Sequence, residues 1–229
     1  MQKLDILATL ALRGVIEEIA QQYPRQAGIE LSLSYGATKS LQESIRQGAR
    51  ADVTLLTREA VAELQEEGIL LSGVPGDVAG SDIGIAVRQG APLPDISTVE
   101  SFKAALLSAR SIVYSDVGAS GIYFKGLLER LGIAQAVNAK ARILPPGLNG
   151  ELVARGEIEL AIQQVSELLQ VPGIAMVGLL PVAIRQTTVF TAAVFAGSPR
   201  VPAARAFVEH LRSATALLTS KGLRPATEL

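Results

Sequence analysis

Apolar positions along this chain switch between two periods, one of two residues and one of three to four. Lys3–Ala8 is a short apolar run, and in Leu12–Tyr23 the apolar residues recur at helical spacing with polar residues opposite. Ile29–Tyr35 alternates strictly between apolar and polar positions, which is typical of a half-buried strand. Because strand and helix patterns follow one another in this way to the end, the sequence predicts an α/β protein with mostly parallel sheets flanked by helices.

The remaining elements are predicted from the same patterns and from glycine and proline breaks. The further predicted strands are Val53–Leu56, Ile83–Val87, Ser111–Tyr114, Ala141–Leu144, Glu157–Ile162, Ile174–Val177 and Gln186–Ala196. The further predicted helices are one that follows Gly36 and stops at Gly48, Glu59–Glu67, Val99–Arg110, Ser120–Leu131, Leu148–Arg155 and a pair within Val201–Leu218. We expect a loop over Ser72–Gly80, a stretch rich in glycine, proline and aspartate.

One local pattern occurs twice in the chain. In RQGARADVTLL a helix ends at Gly48, Asp52 follows, and a strand begins. In ARGEIELAIQQ the same order appears with Gly156 and Glu159. Two α/β lobes of similar construction explain this repetition, although helix, glycine and strand also follow one another in many unrelated proteins.

Composition and charge exclude several functional classes. The 229 residues carry a net charge of −1, so no general attraction to nucleic acid or to an acidic membrane is expected. The chain has no cysteine, which removes disulfides, thiolate nucleophiles and cysteine-ligated metals. Its single histidine, His210, lies near the end of a predicted surface helix, which argues against a Ser-His-Asp triad or a multi-histidine metal site. We therefore expect no metal, no cofactor and no nucleic-acid partner.

Four junctions join the end of a strand to the start of a helix through small or polar residues. An open helix start presents unpaired N–H groups and a partial positive charge, so it can receive a small anion. Ordinary helix capping is the alternative, and Ser40 with Glu43 has the spacing of a capping box. The junctions are Thr9-Leu10-Ala11, Gly36-Ala37-Thr38-Lys39-Ser40, Ser115-Asp116-Val117-Gly118-Ala119-Ser120-Gly121 and Pro146-Gly147-Leu148-Asn149-Gly150.

Polar side chains also follow the predicted strand that ends at Ile162. Gln163, Gln164 and Ser166 stand where a ligand could contact the carboxyl end of a strand, and they could equally cap a short helix. Both interpretations stay open. The fingerprints of dinucleotide-binding and phosphate-binding loops are absent.

The order of these motifs resembles the molybdate-binding-protein-like branch of the type II periplasmic solute-binding proteins, a branch related to aconitate-isomerase-like members. The resemblance spans nearly the whole chain, and its order is more specific than any single motif. The segments that carry it are ILATLALRGVIEEIAQQY, YGATKSLQESIRQGARADVTLL, SDIGIAVRQGAPLPDIST, YSDVGASGIYFKGLLERLGI and VARGEIELAIQQVSEL.

The resemblance implies a two-lobed fold in which each lobe is a mostly parallel sheet flanked by helices. Lobe one would comprise residues 1–82 and 187–229, and lobe two, inserted into it, residues 83–186. Two crossing strands, Ile83–Arg88 and Thr188–Ala196, would form the hinge. The ligand would be clamped between the lobes.

The chain departs from the family pattern at three places. Oxyanion binders of this family usually have a serine where this chain has Ala11, Lys39 adds a full positive charge, and Gln163-Gln164 stands where a tyrosine is usual. Such a site suits an organic carboxylate better than a tetrahedral oxyanion. The ligand-binding residues that we expect are Thr9, Leu10, Ala11, Ala37, Thr38, Lys39, Ala119, Ser120, Gly121 and Gln163.

Three functions fit this picture. The first is a binding protein that clamps a small anion, a carboxylate in particular, for an ABC transporter. The second is an isomerase of the aconitate-isomerase type acting on a di- or tricarboxylate, with Lys39, Asp116 or a neighbouring carboxylate as its base. The third is a ligand-sensing domain inside the cell. We expect a monomer, located in the periplasm if a leader has been removed and in the cytoplasm if the sequence is complete.

Overall fold

The structure of the protein is a computed structural model that describes residues 2–73 and 76–229. The chain divides into two compact units. Unit 1 comprises Met1–Ser81 with Val189–Leu229, and unit 2 comprises Asp82–Thr188. None of the helices in the described ranges is long and apolar enough to cross a membrane.

Over residues 2–73 and 76–229 the chain forms ten strands and ten helices, with three short 3₁₀ helices at Leu10–Leu12, Val182–Ile184 and Ala226–Glu228. The strands are β1 Gln2–Thr9, β2 Ile29–Gly36, β3 Val53–Thr57, β4 Asp77–Arg88, β5 Ile112–Ser115, β6 Ala141–Leu144, β7 Leu160–Gln164, β8 Ile174–Leu179, β9 Thr187–Val194 and β10 Arg224–Pro225. The helices are α1 Arg13–Ala27, α2 Thr38–Arg46, α3 Arg58–Glu66, α4 Val99–Ser108, α5 Ala119–Arg130, α6 Ala134–Asn138, α7 Gly150–Ala154, α8 Val165–Leu168, α9 Val201–Ser213 and α10 Thr215–Ser220.

Unit 1 is built on parallel strands around β1. β1 pairs in parallel with β2 on one side and with β3 on the other, and β9 runs antiparallel along β3. The buried stripe of α1, which includes Val15, Ile16 and Ile19, packs with Phe190 and Phe207 in the main core of this unit. This stripe is the one that the helical spacing of the sequence predicts.

Unit 2 has its own sheet and its own core. β5 lies between β6 and β7 and is parallel to both, while β4 runs antiparallel to β7 and to β8. Phe102, Tyr114 and Phe124 are fully buried in this core. The parallel arrangement brings the carboxyl ends of β5, β6 and β7 to one edge of the sheet, where ligands bind in open α/β sheets.

Some predicted boundaries differ from the structure. β4 begins at Asp77, so the expected loop over Ser72–Gly80 ends earlier than predicted. The predicted strand Glu157–Ile162 is displaced to Leu160–Gln164, because the turn after Gly156 takes up the first residues. The short helix Ala134–Asn138 was not predicted, since it is a single turn that buries only Ala134 and Val137. Met1, Val74 and Pro75, which these predictions include, lie outside the described residues.

Candidate functional site

The start of α2 in unit 1 is open. Ala37 occupies the N-cap position, and no side chain caps the helix there. Thr38, Lys39 and Ser40 form the first turn, and the first intrahelical bond runs from the N–H of Leu41 to the carbonyl of Ala37. The alternative of a capping box formed by Ser40 and Glu43 is therefore wrong, because Ser40 lies inside the helix rather than at its N-cap.

A second junction of unit 1 lies next to this helix start. Thr9 and Gly36 are register partners at the ends of β1 and β2, so the segment Thr9–Ala11 and the α2 start emerge side by side. No side chain caps the 3₁₀ turn that follows Thr9. Thr9 and Ala11 are buried, whereas Lys39 is exposed. Unit 1 therefore brings its predicted site residues to the adjacent ends of β1 and β2, with the exposed Lys39 in the first turn of α2.

The start of α5 in unit 2 is open as well. Gly118 is its N-cap, no side chain caps it, and Ala119, Ser120 and Gly121 form the first turn. A Cβ atom on Gly121 would lie 1.5 Å from the carbonyl oxygen of Ser115, so only glycine lets the helix approach the end of β5 this closely. The glycine of the DVGASG motif thus positions the helix start.

Gln163 lies at the same edge of the sheet, but its amide is occupied by the protein. Its Oε1 accepts a hydrogen bond of 3.0 Å from the N–H of Asn149, and its Nε2 donates one of 2.7 Å to the carbonyl of Gly147. A further hydrogen bond joins the Gln163 side chain to the carboxyl group of Glu167. With both amide hydrogens and the oxygen engaged, Gln163 links the loop after β6 to the start of α8.

Asn149 was noted in the sequence only as part of the fourth junction. The residue is 3% exposed, and its Nδ2 atom has no hydrogen-bond partner among the residues that the structure describes. A buried amide donor without a partner costs free energy, so a group that accepts a hydrogen bond from it would stabilise the site. Gln163 holds the backbone of this residue at the carboxyl edge of the unit 2 sheet.

Glu167 was missed by the sequence analysis. It is partly buried in the first turn of α8, directly after β7. Burial raises the pKa of its carboxyl group to about 7, against the opposing effect of hydrogen bonds from the Gln163 side chain and the Gln164 backbone N–H. The available signal was its position three residues after the N-cap residue Gln164 at the carboxyl end of a buried strand.

The other titratable residues singled out in the sequence have different surroundings. Asp116, proposed as a base, is exposed. His210 lies in the last turn of α9 and packs against the ring of Tyr23, with the ring centroids 5.1 Å apart. This is the expected helix-end position.

Comparison with known proteins gives consistent results. A family model for bacterial extracellular solute-binding proteins matches residues 4–224. The chain is 37% identical to an aconitate isomerase from a Pseudomonas species, over 97% of this chain and 87% of that protein. It is 22% identical to the molybdate-binding protein of Escherichia coli, over 92% of this chain and 83% of that protein. The solved periplasmic molybdate-binding protein of Azotobacter vinelandii matches with a TM-score of 0.81 at 18% identity, covering 96% and 98% of the two chains.

These similarities confirm the predicted fold class, an α/β protein of the two-lobed type II periplasmic-binding-protein type. They also confirm the resemblance to the molybdate-binding branch that the order of the motifs indicated. The chain belongs to the family of bacterial extracellular solute-binding proteins.

Proposed function

We propose that this protein binds a small organic anion that carries more than one carboxylate group. The observation that carries the proposal is the buried Nδ2 donor of Asn149, which has no partner within the described ranges and lies at the same sheet edge as the uncapped start of α5. Together they offer neutral donors to one negatively charged group.

Unit 1 adds a donor of another kind. Lys39 lies in the first turn of α2, a helix start without a side-chain cap, and its ammonium group carries a full positive charge. A site with a full positive charge favours a carboxylate, whereas a site with neutral donors alone suits a tetrahedral oxyanion. The similarity to an aconitate isomerase supports this choice, because aconitate is an unsaturated tricarboxylate.

Calorimetric titration tests the proposal. The panel comprises trans-aconitate, cis-aconitate, citrate, molybdate and sulfate, and we expect binding of at least one tricarboxylate. At 100 times its dissociation constant such a ligand stabilises the folded protein by about 2.7 kcal/mol, which a thermal shift detects. Preference for molybdate or sulfate over all three tricarboxylates would contradict the proposal.

Substitutions in the two units test which residues bind. Lys39→Ala and Asn149→Ala should each weaken tricarboxylate binding by about tenfold or more. Lys3→Ala is the matched control for charge, because Lys3 is exposed in the same unit and lies at the opposite end of β1. An affinity that Lys39→Ala leaves unchanged would remove Lys39 from the site.

A second candidate function is isomerisation of the bound carboxylate. The 37% identity to an aconitate isomerase favours it, as does a carboxyl group of raised pKa at the carboxyl edge of the unit 2 sheet. Binding and isomerisation use the same recognition of carboxylates. They differ in whether the ligand leaves the protein unchanged.

We further propose that the protein acts outside the cytoplasm as a monomer and, if it is a binder alone, delivers its ligand to an ABC transporter. The family, whose members are extracellular solute-binding proteins, supports this location and partner. Light scattering coupled to gel filtration tests the monomer, and the free protein should elute at a mass near 24.0 kDa.

A further inference from the structure

We propose that Glu167 is the group that carries the proton when this protein isomerises a bound unsaturated carboxylate. The inference rests on the proposed function, because it requires that a carboxylate ligand binds. It assigns the acid–base role to a residue other than Lys39 and Asp116.

The position of Glu167 supports this role. It lies in the first turn of α8, which follows β7 at the edge of the unit 2 sheet where β5 leads into the start of α5. The amide of Gln163 hydrogen-bonds to Glu167 and also to the N–H of Asn149. One buried side chain therefore fixes both the carboxyl group and the residue whose Nδ2 has no partner.

The hydrogen bond from the Gln164 backbone N–H is the contact that a glutamate in the first turn of a helix often makes for structural reasons. This hydrogen bond uses only one of the several acceptor positions of the carboxyl group, so it does not prevent the group from accepting a proton. Burial keeps the pKa of Glu167 near neutrality, and no charged side chain is among the causes of its shift. A group with such a pKa can both accept and return a proton at neutral pH, as general acid–base catalysis requires.

The step balances without a further reactant. The ionised Glu167 takes a proton from the saturated carbon next to the double bond, so that a C–H bond breaks and an O–H bond forms. The electron pair spreads over the three-carbon unit and its carboxylates, where the Asn149 amide can stabilise the added negative charge by donating a hydrogen bond. Return of the proton to the far carbon forms a new C–H bond and moves the double bond, which interconverts the trans and cis isomers.

The test uses the full-length protein and trans-aconitate in deuterated buffer. We expect NMR to show conversion to cis-aconitate, with deuterium entering the ligand wherever the carried proton exchanges with solvent. Glu167→Gln should lower the conversion rate by about a hundredfold or more while the dissociation constant for trans-aconitate stays within about threefold. Glu157→Gln, an equally isosteric change at an exposed carboxylate of the same unit, should leave both unchanged.

The pH profile of the unsubstituted protein gives an independent readout if Glu167→Gln fails to fold. The conversion rate should rise with pH and reach half of its maximum near pH 7, because the ionised carboxylate is the base. Glu167→Asp should retain part of the rate, since it keeps a carboxyl group.

The outcomes separate the two proposals. A full conversion rate in Glu167→Gln, or a rate independent of pH between about 5 and 9, overturns the role of Glu167. Binding of trans-aconitate without any conversion or deuterium exchange overturns isomerisation and leaves the proposed binding function intact. Failure to bind any tricarboxylate overturns the proposed function itself.

Discussion

Each unit has an acidic residue just before a strand that accepts a backbone hydrogen bond and pairs with an arginine, but the two acidic residues are buried to different degrees. In unit 1, Asp52 precedes β3 and accepts a hydrogen bond of 2.9 Å from the N–H of Asp5 in the neighbouring strand β1. In unit 2, Glu159 precedes β7 and accepts one of 2.9 Å from the N–H of Arg110, just before the neighbouring strand β5. In both units an arginine completes the arrangement as an ion pair.

The two arrangements differ in how deeply the acidic side chain is buried. Asp52 is 2% exposed and pairs with Arg200 at 3.0 Å, with Ser198 donating a further hydrogen bond. Glu159 is 37% exposed, and its partner Arg110 is 90% exposed. The repeated sequence pattern therefore identifies a shared local geometry, but its contribution to stability depends on the surrounding packing.

The largest expected effect tests this difference directly. Asp52→Ala should lower the free energy of unfolding by about 3 to 5 kcal/mol, because it leaves a partly buried guanidinium and a backbone N–H without their acceptor. Glu159→Ala should lower it by less than about 1 kcal/mol. Urea denaturation of both variants measures the difference, and equal losses would show that burial does not govern the two sites.

The next effect concerns the helix start of unit 2. Gly121→Ala should destabilise the protein by about 3 kcal/mol and weaken ligand binding, because the new methyl group would collide with the Ser115 carbonyl. Gly118→Ala is the control, since its methyl group would meet nothing closer than 3.8 Å, and should cost less than about 1 kcal/mol. Denaturation and calorimetry on both variants decide whether the close contact is needed.

The third prediction uses opposite pKa shifts in the two units. Burial raises the pKa of Glu167 from 4.5 to about 7, so its protonated form stabilises the fold, and this stability is lost as pH rises between those values. In unit 1, a hydrogen bond from Arg58 lowers the pKa of Asp77, whose contribution is lost only as pH falls below about 3.8.

The free energy of unfolding of the unsubstituted protein should therefore decrease by on the order of 2 kcal/mol between pH 5 and pH 8. In Glu167→Gln this decrease should be absent. Asp77→Asn should leave that decrease in place. Urea denaturation at the two pH values measures it. A decrease that persists in full in Glu167→Gln would show that another group is responsible.

The smallest effect compares two donors. The Tyr35 hydroxyl in unit 1 and the Asn149 Nδ2 atom in unit 2 are both buried, and neither has a hydrogen-bond partner in the part of the chain that the structure describes. Tyr35 packs against the core around α1, under the guanidinium of Arg13, so we expect no ligand there. Tyr35→Phe should change the free energy of unfolding by less than about 1 kcal/mol, in the stabilising direction, and leave ligand affinity unchanged. Weaker binding in Tyr35→Phe would contradict this assignment.

Most of the fold could be predicted from the sequence because strand and helix periods are local properties. The stripe of α1, the alternation of β2 and the glycines that end helices each depend on neighbouring residues. Elements with little periodic signal were harder to place. The single turn Ala134–Asn138 and the displaced start of β7 depend on tertiary packing instead.

The site was less accessible to sequence reasoning, for two reasons. The open start of α5 was predicted, but the need for glycine at position 121 comes from a strand end six residues earlier that only the folded chain brings into contact. Gln163 was expected to bind the ligand, whereas its amide is engaged by Gly147, Asn149 and Glu167. The pKa of Glu167 depends on burial, which its sequence neighbours do not reveal.

The division of the chain also has a consequence for its synthesis. Residues 82–188 form one compact unit, while the other draws on both ends of the polypeptide. On a ribosome the inserted unit has emerged in full before Phe190–Val194, the part of β9 that pairs with β3, and before the helices that complete the first core. One edge of β3 therefore remains without its partner strand β9 while the inserted unit folds. The nascent first unit is thus the part of the chain that benefits most from chaperone protection.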